Sequence, residues 1–229
     1  MIDAGTLKAR RIIYAKMNFP ILYTFRRCPY AMRARMALYH AKINYEHREI
    51  LLKNRPKNLY EISPKGTVPV LDLLNGEVID ESFDIMKWAI SKNRSETLFN
   101  RVKQEQIDMI SLNDNQFKKW LDKYKYHVRH PENSFDFYRK NCEKILNKYE
   151  KALKDSKYII DNEISLADFA ILPFIRQFAN VDINWFDSNY FYLSAWLKKI
   201  MDSDIFNQIM KKFEVWDENE RGELIIFDK

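Results

Sequence analysis

Cys28, in the stretch YTFRRCPYAMRARMAL, is one of only two cysteines in 229 residues. It stands directly before Pro29 and a run of good helix formers, so the sequence places a thiol at a helix entrance. The unpaired N–H groups and the macrodipole there favour an anion, and such positions depress a thiol below its free pKa of about 8.5. Arg26 and Arg27 add positive charge beside it. The expected species is a nucleophilic thiolate. The spacing also shows what is missing. The second thiol of a C-x-x-C pair would stand where the chain has Ala31. Without it, Cys28 would form a mixed disulfide that waits for an external thiol. Cys142 sits in a helical pattern in the other half of the chain and is not expected to come near. The competing reading of Cys28 is an inert packing residue, since free cysteines are often buried.

Two further constellations could bind rather than react. Val68-Pro69 stands after a turn and before a strand, where the bond is either an ordinary trans one or cis. In the cis case the Val68 backbone would be free to pair with an extended peptide. Glu81-Ser82 opens a helix. Ser82 reads most simply as its cap, but a hydroxyl among exposed N–H groups also suits a carboxylate, and Glu81 beside it suits an ammonium. Together they would match the zwitterionic head of an α-amino acid. Lys53, in a loop after the second strand, could reach another carboxylate.

Other chemistries are poorly supplied. The four glycines are scattered, which excludes a dinucleotide fingerprint or a P-loop. The histidines His40, His47, His127 and His130 make no recognised metal cluster with the cysteines. Of the net charge of +6, half lies in residues 1–18, where four basic side chains face one acid. Elsewhere the signs alternate, so no nucleic-acid partner is expected. No apolar run is long enough to span a membrane, and no secretory signal is visible. Two distant cysteines point to a reducing, cytoplasmic setting.

The elements that must hold these residues follow from the patterning. Phe19–Phe25 and Asn44–Ile50 read as strands flanking a helix, in which Met32, Met36 and Tyr39 form the apolar stripe and Arg33 and Arg35 lie off it. A parallel pair with a right-handed crossover results. A short helix around 56–61 precedes a hairpin whose Asn75-Gly76 signals a two-residue type I′ turn. A helix from Phe83 to about Ser91 closes a β-α-β-α-β-β-α order, which is a thioredoxin-like layout. From Leu98 onward no strand pattern recurs. Phe117, Trp120 and Tyr124 fall at helical spacing and read as core. Ser165-x-x-Asp168 is a capping box that opens an apolar helix, the expected centre of a bundle. The fold class is thus α/β plus all-α, with domains at 19–91 and 98–229 and a polar linker at 92–97.

Taken together, these motifs resemble the glutathione S-transferase superfamily over nearly the whole chain from Phe19. FRRCPYAMRAR is similar to the cysteine-type, omega-like classes, in which a C-P-[FY] motif opens the first helix. LLKNRP resembles the omega loop that holds a glutathione-contacting lysine, which implies that role for Lys53. GTVPVL matches the cis-proline signature, which implies that Val68 pairs with the glutathione backbone and that Pro69 is cis. Glu81-Ser82 matches the pair that holds the γ-glutamyl group, and SLAD the structural capping box. The resemblance implies a thioredoxin-like N-terminal domain, an all-helical C-terminal domain and glutathione as co-substrate. It further implies a small electrophilic or disulfide second substrate and a homodimer. For the omega-like classes it implies thiol transfer through a Cys28–glutathione mixed disulfide. A conjugating transferase and a non-catalytic interaction protein are the alternatives. Two features depart from the pattern: the leader 1–18 has no counterpart, and Arg27 stands where an apolar residue is common.

Overall fold

The structure, a computed structural model, describes residues 18–92, 97–101 and 103–227. The leader up to Met17 and most of the expected linker lie outside these residues.

The N-terminal half follows the expected order. β1 (Ile21–Thr24), α1 (Pro29–His40), β2 (Tyr45–Glu49), α2 (Lys57–Ile62), β3 (Val70–Asp72), β4 (Val78–Ile79) and α3 (Ser82–Ser91) succeed one another. β1 and β2 are parallel, while β3 pairs antiparallel with β1 and β4 with β3. Alternation along β1 sorts its side chains between two layers. Leu22 joins Met32 and Met36 of α1 and Ile85 and Met86 of α3. Ile21 and Tyr23 face the other way, onto Leu59 of α2 with Val68 and Val70.

One local expectation is corrected here. The hairpin loop is longer than a two-residue turn. Positive φ falls at Leu74 and Gly76 rather than at adjacent positions, and Leu73 N–H closes the loop onto Glu77 O at 3.0 Å. The Asp72 and Asn75 side chains each accept the N–H two residues on, and these local bonds favour the wider loop. In α1, Arg33 and Arg35 lie off the apolar stripe and are still buried, being only 3% and 1% exposed. The helix is covered on both sides, by α3 and by the helical half.

The C-terminal half consists of α4 (Thr97–Asn100), α5 (Lys103–Leu112), a π-helical turn (Asn113–Phe117), α6 (Lys118–Lys125), α7 (Phe135–Asp155), α8 (Leu166–Ala179), α9 (Ile183–Asn189), α10 (Phe191–Met201) and α11 (Asp204–Ile209). α8 is buried almost throughout, as its composition predicts. Its capping box is formed: Asp168 accepts the Ser165 N–H and hydroxyl, and also the Ile159 N–H and the Trp196 indole N–H. One apolar cluster runs from Leu22 through α1 and α8 to Phe206, so the two halves share a core. Phe117 and Tyr124 lie within it.

The expectation of no strand after Leu98 is overturned. β5 (Glu223–Ile225) pairs antiparallel with β2, giving the sheet order β4-β3-β1-β2-β5. Three residues are too few to show a period-two pattern, and the partner strand is remote in sequence. The segment leading to β5 is fixed by Trp216, whose N–H bonds to Glu49 O at 2.8 Å and whose ring lies 4.0 Å from the Arg48 guanidinium.

Candidate functional site

Cys28 is the N-cap of α1, with extended backbone and with Pro29 in the first turn. Its Sγ lies 3.5 Å from Val68 O. The N–H groups of Ala31 and Tyr30 are directed at the sulfur and favour its anion, as do the charges of Arg35 and Lys118. Burial opposes them and wins: the thiol is held above its ordinary value, not below it. This corrects the thiolate expectation. A helix N-terminus stabilises a thiolate, but a low-dielectric neighbourhood destabilises it more when no fixed charge makes contact. The charges that act most are also not the flanking arginines. Arg27 is exposed and leans over the Phe25 ring.

The loop carrying Cys28 is clamped from below. The Arg35 guanidinium donates to Thr24 Oγ1 at 2.5 Å, Phe25 O at 3.3 Å, Arg26 O at 2.7 Å and Ile209 O at 3.0 Å. Thr24 ends β1, Phe25 and Arg26 lie on the β1–α1 connection, and Ile209 ends α11. Glu49 adds a hold from β2, accepting the Arg26 N–H at 2.6 Å.

Facing Cys28 is the Val68–Pro69 bond, which is cis. Gly66 makes the approach to it. Its φ of +59° favours glycine, and a Cβ there would lie 2.2 Å from the Tyr60 ring, which would have to move to admit it. Beside these, α3 begins at Ser82 with Glu81 as N-cap. Ser82 is buried, but its hydroxyl does not cap the helix, contrary to the simplest reading. It accepts a hydrogen bond from Arg33 Nε at 3.0 Å. Arg33 Nη1 in turn donates to both carboxylate oxygens of Asp114, at 2.9 Å each. Glu81 is exposed and pairs with Lys65 at 2.7 Å, which also approaches Asp80 at 3.2 Å.

Cys28, Val68 and Pro69 are therefore in one place, and Glu81-Ser82 is tied to the Cys28 helix through Arg33. Lys53 is not tied to them by any contact among the described residues. It is exposed in the β2–α2 loop, next to a groove of about 400 Å³ formed by Ile50, Asn54 and Pro56 with the Trp216 segment. Sequence reasoning missed Arg33, Arg35, Lys65, Asp114 and Tyr30. Only the charges of Arg33 and Arg35 on a helix opening at a reactive residue could have drawn attention to them. Tyr30 packs edge-to-face on Phe174 at 5.1 Å. Burial and the nearby Asp114 push its hydroxyl up to about 12, so at neutral pH it offers a proton rather than taking one.

Comparison with known proteins bears directly on this geometry. Residues 22–97 match the family model for the glutathione S-transferase N-terminal domain, and residues 115–204 the model for its C-terminal domain. The chain belongs to the glutathione S-transferase superfamily. Among curated relatives, glutathione S-transferase omega-1 of Rattus norvegicus is 24% identical over 199 residues, covering 80% of this chain and 77% of the relative. A solved glutathione S-transferase-I bound with lactoylglutathione superposes with a TM-score of 0.70 at 22% identity, covering 84% of this chain and 98% of that one. A glutathione transferase family member from Pseudomonas fluorescens with two glutathione bound gives 0.73 at 15% identity, covering 84% and 92%. The two matching domain models support glutathione S-transferase activity for this chain. Among the described residues, no helix is long and apolar enough to cross a membrane.

Proposed function

We propose that this superfamily member is an omega-like, glutathione-dependent thiol transferase in which Cys28 is the catalytic residue. The observation that supports this most is the sulfur's position: at the α1 N-terminus, with the Tyr30 and Ala31 N–H groups directed at it, against the Val68 carbonyl. The Cys28 thiol loses its proton to solvent, and the thiolate attacks the glutathione sulfur of a mixed disulfide. A Cys28–S–S–glutathione bond forms and the partner leaves as its thiolate. A second glutathione thiolate then attacks the glutathione sulfur of that bond. Oxidised glutathione departs and the Cys28 thiolate is restored. Ala31 supplies no resolving thiol, and Cys142 is fully buried, so the external glutathione is required. On this reading Val68 pairs with the peptide backbone of glutathione, Glu81 and Ser82 hold its γ-glutamyl head, and Lys53 takes its far carboxylate. The second substrate is a small disulfide or electrophile, and the protein works in the cytosol as a homodimer.

The raised thiol favours a second reading, conjugation. A neutral Cys28 would donate a hydrogen bond to the thiolate of bound glutathione, as its Sγ now does to Val68 O. The two separate in one experiment, the glutathione-dependent reduction of a small glutathione mixed disulfide by wild type and Cys28→Ser. Activity that vanishes with the substitution supports thiol transfer. Loss of that activity from both proteins, with conjugation of an aryl halide retained in Cys28→Ser, sinks it in favour of conjugation.

A further inference from the structure

Arg35 also lines a second cavity, of about 370 Å³, between α1, β2, α11 and the C-terminal strand. None of Cys28, Lys53, Val68, Pro69, Glu81 and Ser82 borders it. Small-molecule sites span about 300–1,000 Å³, so this one has room for a single ring system.

Three polar groups of buried residues on its wall have bonding capacity unused. His47 is 3% exposed. Its Nε2 lies 3.2 Å from Glu49 Oε2, and a carboxylate only accepts, so Nε2 carries the proton. Burial lowers the ring's pKa and keeps it neutral, which leaves Nδ1 an acceptor. Nδ1 has no partner among the described residues. Tyr45 is buried as well, and no described residue bonds to its hydroxyl. Burial pushes that hydroxyl to about 12, so it remains a donor. Arg35 gives four of its five N–H groups to oxygens of Thr24, Phe25, Arg26 and Ile209, and the fifth, on Nη2, meets no acceptor among the described residues. Unpaired buried groups are costly, which favours a ligand that pairs them.

Charge selects the sign of that ligand. Among the described residues, no carboxylate lines the cavity, whereas Arg35 and Lys211 do. The nearby acids are placed otherwise. Glu49 is engaged by His47 and by the Arg26 N–H, Asp204 accepts from the Tyr39 hydroxyl at 2.8 Å, and Glu223, which acts on His47 through space, is exposed. The Arg35 guanidinium therefore touches only neutral oxygens. The walls are flat and aromatic: Phe213 lies 4.2 Å from the His47 ring, and Phe227 lies 5.0 Å from Tyr39.

We propose that this cavity binds a small phenolic acid, one aromatic ring bearing a carboxylate and a hydroxyl, with the carboxylate on Arg35 and Tyr45 and the hydroxyl donating to His47 Nδ1. The site stands apart from the glutathione chemistry and does not depend on how Cys28 reacts.

The test is calorimetric titration of the full chain with the three monohydroxybenzoates, beside benzoate and phenol. At least one isomer is expected to bind with a Kd below about 1 mM and about tenfold tighter than either control, because benzoate leaves His47 Nδ1 without a donor and phenol leaves Arg35 without an anion. Tyr45→Phe deletes one oxygen that has no partner among the described residues, so its urea midpoint should match wild type while affinity for that isomer falls by about tenfold. Lys211→Gln, at an exposed position, should weaken binding by about two- to fivefold and reduce its salt dependence. Absence of binding by all three isomers at about 1 mM, affinity no better than that of benzoate, or affinity unchanged in both variants would overturn the site.

Discussion

Removal of the Arg35 clamp is the most demanding test of how the Cys28 loop is held. Arg35→Met keeps most of the side-chain volume and deletes every donor. Four acceptors lose a partner: three backbone carbonyls and the Thr24 hydroxyl. The hydroxyl can reorient, and Phe25 O keeps the Cys28 N–H. The Arg26 and Ile209 carbonyls lose their partner among the described residues. Each orphaned acceptor costs about 1–3 kcal/mol, which places the gross loss at about 2–6 kcal/mol. Against this, the variant no longer buries a guanidinium, whose desolvation already lowers its pKa, and that relief offsets part of the loss. The expected net destabilisation is about 1–4 kcal/mol. For a chain of this size, about 1 kcal/mol moves Tm by about 2–4 °C, so a fall of about 2–16 °C should follow. Urea unfolding followed by circular dichroism measures the free energy directly. Arg35→Lys should recover only part of it, since one ammonium cannot serve acceptors on both the loop and α11. A loss below about 1 kcal/mol for Arg35→Met would refute the clamp, because water would then be satisfying the carbonyls.

Three other outcomes are expected. Because burial raises the Cys28 thiol, its thiolate fraction at pH 7 lies below that of a free cysteine and grows as pH rises past the ordinary thiol value. The rate of iodoacetamide alkylation should therefore climb through an inflection above about 8.5, and an inflection at or below neutrality would contradict the burial argument. Ser165→Ala removes the α8 cap and one partner of buried Asp168, for an expected loss of about 1–2 kcal/mol in urea unfolding. Trp216→Ala removes the ring stacked on Arg48 and set edge-on to Tyr23 at 5.7 Å. A loss of about 1–3 kcal/mol is expected, and a change in midpoint too small to resolve would mean the segment before β5 is not anchored by that ring.

Residues whose roles are local were legible in the sequence. Cys28 at the start of α1, the Ser165–Asp168 box and the buried α8 each announce themselves within one helical turn of chain. The relations that decide chemistry were not. The thiol's ionisation depends on how deeply α1 is covered, and no residue near Cys28 in sequence reports that. Arg33 and Arg35 lie off the apolar stripe of α1, and nothing near them in sequence reports that they are buried. Their partners Asp114 and Ile209 stand in distant elements. The hairpin signal correctly located a turn but misjudged its length, because Asp72 and Asn75 bond to nearby backbone N–H groups in place of a tight I′ geometry.

The C-terminal strand has a consequence for synthesis. Phe227 N–H bonds to Asn44 Oδ1 across 183 positions, and β5 covers the edge that β2 would otherwise present. As the chain leaves the ribosome, β2 waits with an open edge until residues 223–225 have emerged. An unpaired edge is a template for other chains, so that interval is when the nascent protein is most prone to associate wrongly. A stop codon before residue 223 would make the interval permanent, and a chain cut between its two halves would strand the sheet without its last member.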